Sequence, residues 1–441
     1  MATIYVETYG CQMNVADTEL ILGLLAREGF TVTDDPGGAD VMLVNTCAVR
    51  DHAEQRVIGR VGDLKRHKRP GDVLGVVGCM AQRLGPALLE HAGHVDLVVG
   101  PDGYRALPVL IRQAQAGGRV ADVEFRSWEH YEDVQPARPP VGGATAFVTV
   151  QRGCDYRCTF CIVPMTRGPE RSRKLGDVIR EVDQLAAQGV TQVTLLGQTV
   201  NSYHDGERDF ADLLRAVGQA AGIRRLRFTS PHPRDFTPRV VQAMADVPAV
   251  CEHVHLPVQS GSSRVLKRML RRYTRDEYLE CVDRLREAIP GLALTTDFIV
   301  GFPGETEADF RETESLVAAA GFDDAYTFRY SARQGTPSLR MDHEVPEGVA
   351  AERLERLIAT VRGVARRKNL DLVGTTWEVL VERPARRGGL LQARTRTNKV
   401  ALLDGPDTLV GRYLDVRLTG TTGATFTAVP VSVTRALPVT G

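Results

Sequence analysis

The hydrophobic pattern of the first 120 residues alternates between strand-length apolar runs and helical periodicity. The strand-length runs fall at four places: 2–8, 41–45, 73–77 and 96–99. Apolar positions at helical spacing follow the first two runs, at 14–28 and 51–68. Strands that alternate with helices pair in parallel, so the pattern predicts an α/β sheet domain over residues 1–120.

A segment rich in proline and glycine separates this domain from the next one. Residues 121–143 include Pro139, Pro140 and Gly142, and we interpret them as an interdomain linker. Trp128, His130 and Tyr131 lie among acidic residues in this linker. Their side chains could dock on a neighbouring molecule, but we expect them to pack over the junction of the two domains.

The central part of the chain repeats one strand–helix unit six times. Strand-like runs begin near six residues: Ala146, Gln192, Arg225, Cys251, Leu294 and Ala325. Helical patterns lie between these runs. The units predict an open, partial (β/α)6 barrel over residues 144–370. Catalytic residues in such barrels lie at the carboxyl ends of the strands.

The pattern changes again after a long helical stretch at 346–370. Residues 371–441 contain five short β segments with glycine-rich turns between them. We expect these segments to form a small antiparallel β-barrel. The whole chain is therefore predicted to be a multidomain α/β protein that carries an additional β-barrel.

Composition narrows the class of protein without naming a substrate. Lys and Arg together number 55, as do Asp and Glu, so the net charge of zero argues neither for nor against a nucleic-acid partner. The chain has no apolar run of membrane-spanning length and no basic, apolar leader, so we expect a cytoplasmic protein without a membrane partner. In such a chain the eight cysteines indicate metal binding or catalysis rather than disulfides.

The sequence CDYRCTFC places three cysteines, Cys154, Cys158 and Cys161, in one short loop after the first strand of the predicted barrel. Thiolates at this spacing favour an iron–sulfur cluster or zinc, but a structural zinc site would need a further, distant ligand. A four-iron cluster usually has four cysteines, so three leave one iron open. This spacing, with Phe160 before the last cysteine, resembles the signature of the radical S-adenosylmethionine (SAM) enzymes, and it implies a [4Fe-4S] cluster that binds SAM.

Three further cysteines, Cys11, Cys47 and Cys79, are far apart in the sequence, yet each lies just past a predicted strand. The carboxyl ends of parallel strands meet at one edge of a sheet, so the three side chains are expected to be neighbours. A second iron–sulfur cluster with an open iron is one interpretation. Buried structural cysteines are the other.

The motifs around these cysteines resemble the N-terminal domain of the methylthiotransferases. They are TYGCQMN at 8–14, NTCAVRDHAEQRV at 45–57 and GCMAQR at 78–83. The step Gln12-Met13 is similar to the branch that modifies isopentenylated tRNA. The branch that acts on a ribosomal protein typically has Pro-Lys-Asn at this place, and the threonylcarbamoyl-adenosine branch has Lys-Val.

The resemblance also implies a SAM site at the carboxyl ends of the barrel strands. Many radical SAM enzymes have Gly-Gly-Glu after the second strand, whereas this chain has Gly197-Gln198. Candidate SAM contacts in the matching stretches are Phe160, Gln198, Asn201, Ser230, Gln259 and Glu305. Several of these polar side chains could instead satisfy the backbone of their own loops.

The activity implied by the resemblance is methylthiolation of C2 of N6-isopentenyladenosine at position 37 of tRNA. The reduced cluster in the cysteine loop cleaves SAM to methionine and a 5′-deoxyadenosyl radical, the second cluster handles the sulfur, and a second SAM provides the methyl group. An electron donor such as flavodoxin or ferredoxin is implied, and we expect a monomer. A non-enzymatic iron–sulfur sensor that binds RNA is an alternative of another class.

The C-terminal segment supports an RNA partner through its charge. Residues 371–441 contain nine basic residues against six acidic ones: Arg383, Arg386, Arg387, Arg394, Arg396, Lys399, Arg412, Arg417 and Arg435 are the basic ones. Arginine-rich strands on a small barrel suit the phosphate backbone of RNA, although a solvated surface would look similar. The position of this segment resembles that of the TRAM domain, an RNA-binding module.

Overall fold

The computed structural model describes residues 2–48, 51–138, 143–386 and 388–433. Some predictions fall outside these ranges. They concern Val49 and Arg50 of the second cysteine motif, Pro139, Pro140 and Gly142 of the linker, and Arg387 and Arg435 of the basic segment.

The N-terminal part is a six-stranded sheet in which every pairing is parallel. Its strands are β1 (Thr3–Tyr9), β2 (Thr31–Val32), β3 (Val41–Thr46), β4 (Val73–Gly78), β5 (Leu97–Val99) and β6 (Val120–Asp122), in the order β2-β1-β3-β4-β5-β6. Its helices are α1 (Gln12–Arg27), α2 (Asp51–Leu64), α3 (Cys79–Leu84), α4 (Ala87–His91) and α5 (Leu107–Gln115).

Strand β3 shows why the strands of this sheet are continuous apolar runs in the sequence. Val41 and Leu43 belong to the core formed with α1 and α5, whereas Met42 and Val44 belong to the core on the other face. A parallel sheet covered by helices on both faces buries every position of its inner strands. The four predicted strands are confirmed. The short strands β2 and β6 went unpredicted because they are two and three residues long and partly exposed.

The central part forms two three-stranded parallel sheets, β11-β10-β7 and β12-β13-β14, together with one short antiparallel ribbon of β8 and β9. The strands are β7 (Thr145–Thr149), β8 (Gln151–Arg152), β9 (Arg171–Ser172), β10 (Gln192–Leu196), β11 (Arg225–Phe228), β12 (His253–His255), β13 (Ala293–Val300) and β14 (Asp324–Arg329). The helices are α6 (Val163–Arg167), α7 (Leu175–Ala187), α8 (Phe210–Gly218), α9 (Pro238–Asp246), α10 (Ser263–Arg268), α11 (Arg275–Ala288), α12 (Glu307–Ala320) and α13 (Glu347–Leu370).

A parallel bridge between Leu226 and Val250 joins the two sheets into one curved, open barrel wall. The predicted succession of six strand–helix units is therefore confirmed. Side-chain caps fix several helix starts: Thr274 and Thr306 each accept a hydrogen bond from a backbone N–H three residues later, in α11 and α12 respectively. The carboxyl ends of the strands thus stay free for loops that carry function.

The C-terminal part is a closed five-stranded barrel. Its strands are β15 (Thr376–Pro384), β16 (Leu391–Thr395), β17 (Val400–Leu403), β18 (Tyr413–Thr421) and β19 (Thr425–Val433), in the order β15-β16-β17-β19-β18. Four pairings are antiparallel and the β17–β19 pairing is parallel. A ring of five strands cannot alternate direction all the way round, so the predicted antiparallel barrel must contain one parallel pair.

This small barrel docks on the amino-terminal ends of the central strands. The loop after β16 makes some of the contacts, since Arg396 pairs with Glu252 at 2.8 Å and Lys399 pairs with Asp323 at 2.8 Å. In return, Arg227 of β11 donates to the carbonyl oxygen of Thr395 at 2.7 Å. Several basic residues of the C-terminal segment therefore hold two parts of the chain together.

The linker covers the junction only in part. Tyr131 is buried and donates a hydrogen bond to the carbonyl oxygen of Pro101 at 2.9 Å. The expectation that the linker aromatics pack over the junction therefore agrees with the burial of Tyr131, but it is wrong for Trp128, which is 73% exposed. Within the described ranges, none of the helices combines the length and the apolar character that crossing a membrane requires.

Candidate functional site

The cysteine loop of Cys154, Cys158 and Cys161 begins directly after β8, at the carboxyl end of the first barrel strand. Gly153 has a φ of 75°, and a Cβ there would collide with the carbonyl oxygen of Pro169. Glycine is therefore needed at the point where the backbone turns into the loop. Gln198, at the end of the neighbouring strand β10, accepts a hydrogen bond from the Gly153 N–H at 2.6 Å.

Two of the loop thiols have polar partners from other elements. The Thr199 hydroxyl lies 3.1 Å from Cys154 Sγ, and Nη1 of the buried Arg271 donates to Cys158 Sγ at 3.4 Å. Burial, and next the neighbouring Cys158 thiol, raise the pKa of Cys161 to about 12. The three thiols are thus close enough to oppose one another's ionisation, and a cationic metal centre would relieve that opposition.

The second triad, Cys11, Cys47 and Cys79, meets at one edge of the N-terminal sheet, as the strand pattern predicts. Tyr9 pairs with Thr46, and Thr46 pairs with Gly78, so the ends of β1, β3 and β4 lie side by side. Cys47 and Cys79 are the next residues of their strands. Cys11 caps the start of α1 two residues after β1.

The contacts of Cys11 show how closely this triad is drawn together. A hydrogen bond with Cys47, and further the positive charge of Arg167, lower the pKa of Cys11 to about 6. The Asn14 side chain accepts from the Cys11 N–H at 3.2 Å and from its thiol at 3.4 Å. Asn14 also donates to Asn45 of β3 at 3.1 Å, which ties the first turn of α1 to the sheet edge.

Each triad has one buried arginine as a hydrogen-bond donor to sulfur. Arg271 contacts Cys158, and Nε of Arg167 donates to Cys79 Sγ at 3.0 Å. A guanidinium at this position favours anionic sulfur, as in a metal-bound thiolate. Among the described residues, no three His, Cys, Asp or Glu side chains surround a single ion. The thiolates of a [4Fe-4S] cluster bind different irons rather than one ion, so the donor set of each triad, three thiols with a guanidinium beside one of them, suits such a cluster chemically.

Three of the predicted SAM contacts, Gln198, Asn201 and Ser230, lie on two neighbouring loops at the carboxyl end of the barrel, and they also brace the loops beside them. Asn201 exchanges two hydrogen bonds with the backbone of His232, at 2.7 and 2.9 Å. Ser230 is exposed, has a φ of 57°, and its carbonyl oxygen accepts from the Val200 N–H at 3.3 Å. Gln198 supports the cysteine loop, as described above.

The remaining candidates stand on the second half of the barrel. Gln259 is buried with a φ of 79°, a strained value that non-glycine residues adopt mainly at functional sites. Phe160 is half-buried and packs edge-on against Phe302, with ring centroids 6.5 Å apart. The Glu305 carboxylate accepts from the Gly301 N–H and from the guanidinium of Arg353.

Three important residues escape the sequence analysis: Arg167, Arg271 and Asp17. Asp17 is fully buried in α1 and pairs with Arg152 at 3.1 Å and with Arg167 at 2.7 Å. The local signal is an aspartate among the apolar positions of a helix, three residues after Asn14, because a buried carboxylate must be paired to be tolerated. Its partners are in another part of the chain and leave no trace near it in the sequence.

Comparisons with known families agree with this architecture. Residues 148–317 match the Radical SAM superfamily, residues 3–100 match the Uncharacterized protein family UPF0004, and residues 371–431 match the TRAM domain. The fold and the cysteine loop therefore define a radical SAM enzyme with a C-terminal TRAM domain.

Curated relatives narrow this class further. The tRNA-2-methylthio-N(6)-dimethylallyladenosine synthase of Bacteroides fragilis is 43% identical over 96% of this chain and 94% of its own length. The enzyme of the same name from Moorella thermoacetica is 46% identical over 95% of this chain and 96% of its own length. The chain belongs to this family of radical SAM tRNA methylthiotransferases.

Solved structures with lower identity share the fold. The radical SAM methyltransferase TsrM from Kitasatospora setae, solved with cobalamin and a [4Fe-4S] cluster, has a TM-score of 0.58 at 18% identity, over 76% of this chain and 77% of that one. Apo OxsB, a cobalamin-dependent SAM radical enzyme, has a TM-score of 0.55 at 12% identity, over 94% of this chain and 64% of its own.

Proposed function

We propose that the protein methylthiolates C2 of N6-isopentenyladenosine at position 37 of tRNA, with two [4Fe-4S] clusters and SAM. One observation carries the two-cluster part of the proposal. Ile162, the residue after Cys161, packs in a small apolar cluster with Ala48 and Cys79. The two cysteine triads are therefore neighbours across the junction of the N-terminal sheet and the barrel, which suits two steps on one substrate atom.

In this proposal Cys154, Cys158 and Cys161 hold the first cluster, and Cys11, Cys47 and Cys79 hold the second. A cluster held there would supply, when reduced, the electron for SAM cleavage, chemistry that acid–base side chains cannot provide at an unactivated C–H bond. Thr199 and Arg271 fix the thiols of the first triad through the contacts described above. Asn14 orients Cys11 of the second triad.

The loops at the carboxyl ends of the strands are proposed to hold SAM. Gln198, Asn201, Ser230 and Gln259 stand next to the cysteine loop or on neighbouring strand ends, where ligands of such barrels bind. Phe160 is proposed to flank this site, and Glu305 to act through the loop that it braces. Hydrogen bonds between several of these loops hold their side chains in place, which would keep a bound cofactor oriented.

The tRNA substrate is supported by the names of the relatives and by the TRAM domain. A base beside the anticodon lies in a loop, where it can be splayed out into a pocket at modest cost. We propose a one-electron donor such as flavodoxin or ferredoxin as a further partner, a monomeric state and a cytoplasmic location.

The decisive experiment combines reduced, cluster-loaded protein with SAM and isopentenylated tRNA, followed by nucleoside analysis. We expect 5′-deoxyadenosine in the reaction mixture and a 2-methylthio nucleoside in the digested tRNA. If no 5′-deoxyadenosine forms, the proposal that the protein cleaves SAM by radical chemistry is wrong. Deoxyadenosine without modified tRNA would point to a different substrate, such as threonylcarbamoyl-adenosine tRNA or a ribosomal protein. Analysis of tRNA from a strain that lacks the protein checks the same nucleoside in the cell.

A further inference from the structure

Arg167 belongs to the barrel but contacts the cysteine triad of the N-terminal sheet. It is the last residue of α6, the short helix that follows the cysteine loop, and only 3% of its surface is exposed. Its Nε lies 3.0 Å from Cys79 Sγ. One continuous segment, from Cys161 to Arg167, therefore runs from the first triad to the second.

Asp17 holds this guanidinium in place. Its carboxylate lies 2.7 Å from Nη2 of Arg167 and 3.1 Å from Nη1 of Arg152. Tyr104 donates a further hydrogen bond to it at 3.3 Å. Asp17 comes from α1, whose start carries Cys11 and Asn14, so the same helix orients both the cysteine and the arginine.

The charges in this buried group do not cancel. Arg152 and Arg167 are two cations, and among the residues that the structure describes Asp17 is the one carboxylate that pairs with them. Nη1 of Arg167 and Nε of Arg152 are buried and have no hydrogen-bond partner among the described residues, and Nη2 of Arg167 contacts Asp17 as an ion pair without hydrogen-bond geometry. An uncompensated buried cation is costly, so an anionic group beside it is stabilised in turn. Arg167 contacts the neighbouring triad at Cys79, so that triad is where such an anionic group would lie.

We propose that Arg167, held by Asp17, is a positioning residue that supplies the positive charge for the cluster at Cys11, Cys47 and Cys79 and thereby raises its reduction potential. The inference rests on the proposed function, because it needs a cluster at this triad. A reduced cluster carries one more negative charge than an oxidised one, so a fixed cation nearby favours the reduced state. Arg167 belongs to the segment that begins at Cys161 of the first triad. The position of that segment therefore determines where the positive charge lies beside the second triad.

The test isolates the second cluster in the full-length chain. A parent variant with Cys154→Ala, Cys158→Ala and Cys161→Ala leaves only the second triad able to bind iron. Arg167→Met removes the charge, and Arg167→Lys keeps it without the fixed fork of the guanidinium. Arg171→Met is the matched control, because Arg171 is also a buried barrel arginine that reaches an N-terminal carboxylate, Asp102, without touching a cysteine. Iron and sulfide content and the midpoint potential, followed by electron paramagnetic resonance, are measured for each protein.

Arg167→Met is expected to disfavour one-electron reduction by about tenfold, which corresponds to a midpoint potential about 59 mV more negative. Arg167→Lys is expected to lie between this value and the parent, and Arg171→Met at the parent value. An unchanged potential in Arg167→Met at full iron content would overturn the inference, and so would an equal shift in Arg171→Met.

Loss of iron has a defined meaning in each case. If Arg167→Met fails to load iron while Arg167→Lys loads it, the charge is required and the inference stands. If neither loads iron while Arg171→Met does, Arg167 holds the site together rather than tuning it, and the inference fails. A parent that holds no iron would overturn the second cluster itself, which is the failure of the proposed function.

Discussion

The carboxylate of Glu305 lies 2.8 Å from Nη1 of Arg353, and both side chains are almost fully buried. Glu305 ends the loop after β13, and Arg353 stands on α13. The same carboxylate accepts a hydrogen bond from the Gly301 N–H at 3.0 Å, so it closes the loop on itself. Burial raises the pKa of Glu305, and the charge of Arg353 acts against that shift. The long helix α13 thus fastens the glycine-rich loop at the proposed SAM site.

Arg353→Met should destabilise the barrel strongly, because it leaves the Glu305 carboxylate buried without its partner. Breaking a buried ion pair from one side costs about 3–5 kcal/mol. Arg356→Met is the control: Arg356 stands on the same helix and also pairs with glutamates, but its side chain is 35% exposed. Such a partly exposed pair contributes roughly 0–1 kcal/mol. Thermal unfolding of the two variants should separate them clearly, and equal losses would refute the buried-pair argument.

Cys11→Ala should remove the second cluster and spare the first. We expect iron to fall from about eight to about four ions per chain, since each [4Fe-4S] cluster contributes four. SAM cleavage should persist, because Cys154, Cys158 and Cys161 are untouched, whereas methylthiolation should be lost. Cys251→Ala is the control, as Cys251 is a buried cysteine at the opposite end of the barrel strands. Methylthiolation by Cys11→Ala would contradict the proposed role of the second triad.

The edge on which Cys11, Cys47 and Cys79 meet is predictable from the sequence, because the signal is local. Each cysteine lies within two residues of the end of a strand that the sequence pattern predicts, and parallel pairing brings the strand ends together. The loop of Cys154, Cys158 and Cys161 is predictable for a simpler reason, since its spacing alone carries the information.

The charged partners of these cysteines are not predictable, because they are set by tertiary contacts. Arg167 lies 88 residues from Cys79 in the chain, and nothing near it in the sequence marks it as a sulfur contact. A count of basic residues likewise does not show which of them are already paired within the fold. Arg394, Arg396 and Lys399 look like RNA-binding residues in the sequence, yet they pair with Glu382, Glu252 and Asp323. Only the fold distinguishes these residues from arginines that remain exposed.

We expect the free energy of unfolding to decrease as the pH is lowered, because of His232. This side chain stacks on Tyr156 of the cysteine loop, with ring centroids 3.9 Å apart. Burial, and then the charges of Arg271, Arg234 and Arg272, lower the pKa of His232 to about 2. In the unfolded chain the imidazole has a pKa of about 6.5 and takes up a proton below it. The unfolded state therefore binds more protons between these two values, and the folded state is fully favoured only above the higher one.

At pH 5 this single histidine should cost about 2 kcal/mol relative to pH 7, at about 1.4 kcal/mol per pH unit below the unfolded pKa. In the native protein the Arg234 N–H donates a hydrogen bond to His232 Nδ1 at 3.3 Å. His232→Asn removes the titrating group and keeps a side-chain acceptor for this N–H. Urea unfolding at several pH values should show a flatter dependence in the variant. Parallel curves for the two proteins would exclude His232 as the cause.

The basic residues of the C-terminal barrel should divide into two groups by function. Arg383, Arg386 and Arg412 are exposed, and Arg383 lies at the end of β15 away from the docking loop, where it pairs with Gln392. We expect these three to contact tRNA phosphates. Their joint replacement by Gln should weaken tRNA binding and lower the slope of log K against log salt by roughly two to three, at about 0.7–1 per phosphate contact.

Arg396→Gln is the contrasting variant. Arg396 pairs with Glu252 and donates to the carbonyl oxygens of Pro248 and Val250 at 2.9 and 2.7 Å, so its loss should loosen the docking of the small barrel on the central one. We expect a lower melting temperature with an unchanged salt slope, because no phosphate contact is removed. A salt slope that falls in Arg396→Gln but not in the triple variant would reverse the assignment, and would place the RNA at the docked end of the barrel.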